Sequence, residues 1–68
     1  MSKEMPFMIY CIELYRNKKG LSGKDVMALF RRYSVCEYLY QSFGALHTTG
    51  DEFIYEDING FIQSKQAI

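Results

Sequence analysis

The first twenty residues carry two apolar stripes at the spacing of an α-helix. One stripe consists of Met5, Met8, Ile9, Ile12 and Tyr15, and the other of Phe7, Tyr10, Cys11 and Leu14. A helix on the surface of a small monomeric domain needs only one such stripe. The pattern therefore predicts a helix, capped by Ser2 and ending at Gly20, that is either central in the domain or shared with a partner.

Two more helices are predicted from capping signals. Ser22 is followed three residues later by Asp25, as in a capping box, and Ser34 is followed by Glu37 in the same way. The second helix has one apolar stripe, formed by Val26, Leu29, Phe30 and Tyr33. The third has its main face at Val35, Leu39 and Phe43, and Gly44 is expected to end or break it.

The sequence of segment 45–55 fits two different structures. Its turn residues, Thr48 to Asp51, favour either a loop or a minimal β-hairpin before the last helix. In that last helix, Ile54 and Ile58 have helical spacing, and Glu56 and Asp57 suit a first turn. The expected fold is therefore mostly α, a single domain over residues 1–68 built as a small bundle of about four short helices.

Composition points to a second buried surface. Apolar residues make up 49% of the chain and aromatic residues 16%, whereas a domain of about this size buries only about 60% of its unfolded surface. We therefore expect a homodimer or a complex with a small protein partner. The expected interface is the second stripe of the first helix, formed by Phe7, Tyr10, Cys11 and Leu14.

The formal net charge of zero hides a polarity along the chain. Residues 1–34 contain seven basic and three acidic residues, a net charge of +4, and residues 35–68 contain one basic and five acidic residues, a net charge of −4. Two interpretations remain open. The halves complement each other within the fold, or the basic face of one copy meets the acidic face of another.

No reaction is predicted from the residues. His47 has no partner at zinc-ligand spacing, and Cys11 and Cys36 form neither a metal motif nor a redox pair. We therefore expect a protein that is not an enzyme, without cofactor, metal or small-molecule substrate, and expect His47 to bond a nearby carbonyl or carboxylate. The absence of a signal-peptide pattern and of a long apolar run predicts a cytoplasmic protein with reduced thiols and no membrane partner.

Nucleic-acid binding is the alternative function. The second and third predicted helices have the spacing of a helix-turn-helix, and five side chains could contact phosphates: Lys18, Lys19, Lys24, Arg31 and Arg32. The would-be recognition helix argues against this, because it carries Glu37 and no lysine or arginine.

Several segments together resemble a known family. They are YCIE at 10–13, LSGKDV at 21–26, LF at 29–30, Tyr33, YL at 38–39, LHTTG at 46–50 and IYEDI at 54–58. The family is one of short uncharacterised bacterial proteins, described as a domain of unknown function and often encoded beside an ADP-ribosyltransferase-like toxin. The resemblance implies an antitoxin-like or accessory partner role, and it supplies no catalytic residue. This chain departs from the family pattern at Ser34, where glycine is expected, and at Gly60.

Overall fold

Five α-helices make up most of the computed structural model, which describes residues 3–66. They are α1 (Glu4–Lys19), α2 (Gly23–Arg32), α3 (Val35–Gln41), α4 (Phe43–Leu46) and α5 (Asp51–Gln66). The mostly helical bundle is confirmed, with the third predicted helix divided into α3 and α4. The predicted Ser2 cap lies outside the described residues.

The segment 45–55 forms no hairpin, and residues 3–66 contain no strand. Thr49 closes a turn after α4, because its backbone N–H and its hydroxyl both donate to the Leu46 carbonyl, at 3.0 and 2.7 Å. The last helix then begins at Asp51, where two acidic residues, Asp51 and Glu52, favour a helix N-terminus. The expectation that Glu56 and Asp57 occupy the first turn is therefore wrong, since they lie in the second.

Two of the predicted helix ends are confirmed. Gly20 has φ +68°, a left-handed conformation that glycine adopts without a Cβ penalty. Ser22 caps α2, because its Oγ accepts a hydrogen bond of 3.1 Å from the Asp25 backbone N–H. Together these residues turn the chain from α1 into α2 within three residues.

Ser34 does not cap α3, so the second predicted capping box is wrong. Its backbone is itself left-handed, with φ +56°, and its side chain makes no capping hydrogen bond. An N-cap side chain reaches the helix only from an extended backbone, which Ser22 has and Ser34 lacks. Glycine adopts this left-handed conformation without strain, which gives a physical reason for the glycine that the resemblance led us to expect at this position.

The core is organised around α1, which packs against α2, α3 and α5. Its buried side chains are Met8, Cys11 and Tyr15, drawn from both predicted stripes. The other helices complete the core with Val26, Phe30, Val35, Leu39, Leu46, Ile54, Ile58 and Ile62. The two-striped pattern thus reflects a helix that is central in its own domain.

Polar side chains attach α5 to the rest of the bundle. Tyr15 donates a hydrogen bond of 2.9 Å to Asn59 Oδ1, and Tyr38 donates one of 2.5 Å to Asp57. The ring of Tyr38 also stacks on Phe61, with 4.1 Å between the ring centroids. These bonds fix the direction and rotation of α5, which its isoleucine face alone would leave less specific.

The charge polarity is partly satisfied within the fold. Lys18 of α1 forms an ion pair with Glu52 of α5, which joins the basic half of the chain to the acidic half. The second ion pair of the described residues, Arg16 with Glu13 at 3.1 Å, is local to α1. Complementary charges within the chain therefore account for only part of the charge separation between its two halves.

Among the described helices none is long and apolar enough to span a membrane.

Candidate protein-interaction surface

The predicted interface residues lie mostly within the chain's own fold. Cys11 is fully buried in the core, and Leu14 packs partly buried against it. Phe7 meets Phe43 of α4 edge to face, with 5.4 Å between ring centroids. Only Tyr10 is exposed, and its hydroxyl donates to Asp51 at the start of α5. Cys11 therefore has no surface to offer a partner, and an interface role for the other three residues stays a prediction.

Besides Tyr10, α1 exposes two large apolar side chains, and both lie on the flank of the helix opposite Tyr10. Met5 is 47% exposed and Ile9, one turn further along, is 57% exposed. On α2, Met27 is 37% exposed. We call these three residues the α1–α2 strip.

Helix geometry places Met27 on the same side of the bundle as Ile9. The Cδ atom of Arg16 lies 4.0 Å from where a Cβ at Gly23 would stand, so these two positions face each other across α1 and α2. The chain doubles back between α1 and α2, because the two helices pack against each other and only residues 20–22 join them. One turn beyond Gly23 is Met27, and one to two turns before Arg16 are Ile12 and Ile9. Met27 is therefore level with Ile12 and one turn from Ile9, where α1 packs against α2.

The five predicted phosphate-contacting residues do not form one face. Lys18 is paired with Glu52, and Lys19 lies 5.9 Å from the ring centre of Tyr15, so both belong to the side where α1 meets α5. On α2, Lys24, Arg31 and Arg32 are exposed. The guanidinium of Arg32 lies 5.5 Å from the Tyr33 ring centre.

The would-be recognition helix is short. The structure gives α3 seven residues, joined to α2 by only Tyr33 and Ser34, whereas a helix-turn-helix has a turn of three to four residues. Its exposed residues are Glu37, Tyr40 and Gln41.

The side chains that could react, those of His47, Cys11 and Cys36, are stacked against or buried in the chain's own fold. The ring of His47 stacks on Phe43. Its Nδ1 lies 2.7 Å from the Phe43 carbonyl oxygen and donates to it in the tautomer that carries hydrogen on Nδ1. Burial raises the pKa of Cys11 to about 12, and it also raises the pKa of the half-buried Cys36. Both thiols are free and protonated at neutral pH. In the part of the chain that the structure describes, no three His, Cys, Asp or Glu residues are grouped to hold a metal ion.

A protein-family model matches most of the chain. The family model described as "Protein of unknown function (DUF3791)" matches residues 6–65. The chain belongs to the DUF3791 family. The matched range includes α2, α3 and α4 completely and nearly all of α1 and α5. Neither the curated proteins nor the solved structures include a match to this sequence.

Family membership confirms the resemblance to a domain of unknown function, and it assigns no activity to any residue. The surface of this DUF3791 protein therefore has to be interpreted from its own side chains. Met5 and Ile9 share the helical spacing of Met8 and Tyr15, so the sequence predicts all four on one stripe. The true core face is centred between Met8 and Cys11, which leaves Met5 and Ile9 at its edge. No local sequence signal separates these two choices.

Proposed function

We propose that this DUF3791 protein is a non-catalytic interaction module whose α1–α2 strip binds another protein. The observation that carries the proposal is the exposure of Met5, Ile9 and Met27 on two helices that pack against each other. Single exposed apolar side chains are ordinary in small domains. A group of them on one surface is typical of a protein-binding site, because burying such a group releases water from apolar surface.

The partner that we propose is a protein encoded beside this one, and the role is antitoxin-like or accessory, in the cytoplasm. Support for this finer proposal comes from the resemblance to bacterial proteins encoded next to ADP-ribosyltransferase-like toxins. An interaction module suits such a role, because a small protein can block a toxin by covering its surface without any chemistry of its own.

Co-expression with the product of the adjacent gene tests the proposal. The wild-type chain should co-purify with that product and relieve its toxicity. Ile9→Glu should abolish both effects, since it places a charge in the centre of the apolar contact. Tyr40→Glu is the matched control, because Tyr40 is also exposed, at 42%, but belongs to α3 and not to the strip.

The comparison of the two variants decides the outcome. Both should keep the helical circular dichroism of the wild type, since each replaces an exposed side chain. Retention of binding and relief by Ile9→Glu would contradict the proposed docking surface. Equal loss in Tyr40→Glu would contradict it too, because the effect would then not depend on the strip.

A small helix-turn-helix-like DNA-binding regulator is the second candidate function. It is favoured by Lys24, Arg31 and Arg32, none of which forms an ion pair with an acid among residues 3–66. This function predicts binding to the protein's own promoter DNA that weakens steeply with salt, and further with Arg31→Ala and Arg32→Ala. The absence of a mobility shift on that DNA at low salt would eliminate it.

A further inference from the structure

We propose that the α1–α2 strip also binds the outward face of α5 from a second copy of this chain, with Phe53 as the apolar anchor. This inference rests on the proposed function, because it takes the strip as a binding surface; a second copy and the neighbouring protein would compete for it. Two surfaces of the chain each have an apolar centre, and the charge around one is opposite to the charge around the other.

The first surface is the outward face of α5. Phe53 is 58% exposed, although an aromatic ring of this size is normally among the most buried side chains. It lies on the side of α5 opposite the core residues Ile54 and Ile58, and Glu56 lies one turn further along the same side. Glu56 forms no ion pair within residues 3–66. This face therefore offers an exposed ring beside an unpaired carboxylate.

The second surface is the strip with its basic border. Met27 on α2 has Lys24 three residues before it and Arg31 four residues after it, so both cations flank Met27 on the helix surface. Lys24 and Arg31 are likewise without ion pairs in the described part of the chain. This surface therefore offers apolar side chains between two cations, which complements the acidic face with its exposed ring.

These two surfaces cannot meet within one chain. Phe53 faces away from the core, since α5 packs on the bundle through Ile54, Ile58 and Ile62. A contact between Phe53 and the strip therefore needs a second copy, joined to the first by different surfaces on each. Such a head-to-tail contact leaves one free surface of each kind, so it either closes into a ring or continues into a longer assembly.

Charge reversal on each surface tests the contact. Sedimentation velocity of the wild type should show a weight-average mass that rises with concentration. Arg31→Glu and Glu56→Arg should each weaken self-association by at least about tenfold, because each brings like charges together. An equimolar mixture of the two variants should restore it, since residue 31 of the first variant then meets residue 56 of the second with opposite charges.

Two further variants control for other causes. Phe53→Ser should abolish association without changing any charge. Glu37→Arg, at an exposed position of α3, should leave association unchanged. A wild type that stays monomeric at high micromolar concentration would overturn the inference, and so would a mixture that fails to associate. With either result, the proposed function still stands if Ile9→Glu abolishes binding of the neighbouring protein. Failures of the two proposals are therefore distinguishable.

Discussion

The hydroxyl of Tyr15 in α1 donates a hydrogen bond to Asn59 Oδ1 in α5, 44 positions further along the chain. Tyr15 is buried between three helices, where its ring also lies near Phe30 and Tyr55. The bond therefore sets how α5 is rotated against the central helix. A correctly rotated α5 buries its isoleucines and leaves Phe53 outside.

Removing this hydroxyl should destabilise the fold. Tyr15→Phe leaves the Asn59 carbonyl oxygen without its donor in a partly buried position, which we expect to cost about 1–2 kcal/mol of unfolding free energy. Chemical denaturation measures this cost. Tyr33→Phe is the control, because within residues 3–66 the Tyr33 hydroxyl accepts a single exposed hydrogen bond, of 3.4 Å, from Gln66 Nε2. Equal effects of the two substitutions would show that the Tyr15–Asn59 bond has no special role.

The two left-handed residues should respond in opposite directions to exchange with glycine. Ser34→Gly should raise the unfolding free energy by about 0.5–1 kcal/mol, because it removes the Cβ strain at φ +56°. Gly20→Ala should lower it by about 1 kcal/mol, because it introduces the same strain at φ +68°. Thermal or denaturant unfolding of both variants checks the pair. A destabilised Ser34→Gly variant would contradict the left-handed assignment.

The two thiols should differ in reactivity. The Cys11 thiol is fully buried and keeps its proton at neutral pH, whereas the Cys36 thiol is half-buried. We expect Cys11, observed alone in a Cys36→Ala variant, to react with a thiol reagent only as fast as the protein opens. Cys36, observed in Cys11→Ala, should react faster. If both thiols reacted as fast as they do in the denatured protein, Cys11 would lie outside the core.

Alkaline pH should destabilise the fold because of Cys11. Its pKa is about 12 in the folded protein and near 9 in an unfolded chain, so between these values the folded state holds more protons. The stability that this thiol contributes is complete below pH 9 and falls as the pH rises towards 12. Burial also raises the pKa of Tyr15, which acts in the same direction. Unfolding free energies measured between pH 8 and 11 should decline, and less steeply in Cys11→Ala.

The helices were predictable from the sequence where local chemistry decides them. Gly20 and Ser22 set the turn between α1 and α2, and the apolar stripe of α2 gave its core face. Residues 45–55 and Ser34 were not predictable in the same way. At the start of α5, Asp51 and Glu52 are a local signal, but Glu56 and Asp57 are an equal one, and the packing of Ile54 in the core decides between them. The left-handed turn at Ser34 depends on the packing of α2 against α3, which no neighbouring residue reveals.

The sequence predicted that an interaction surface exists but not where it lies. An apolar excess indicated an interface, but its position depends on which edge of the broad apolar face of α1 is covered. Phe43 and Asp51 approach the edge that contains Phe7 and Tyr10, so the uncovered edge is the one with Met5 and Ile9. Those approaches are long-range contacts, and helical spacing within α1 contains no information about them.

Thiol protection at position 9 inside cells tests the docking surface most directly. Ile9→Cys and Tyr40→Cys, each made in a Cys36→Ala background, place a reactive thiol on the strip and on the exposed side of α3, while buried Cys11 stays unreactive. In the dilute purified protein both introduced thiols should react quickly. In cells that express the natural partners, position 9 should be protected and position 40 should not. Equal labelling of the two positions in those cells would contradict the assignment of the α1–α2 strip as a binding surface.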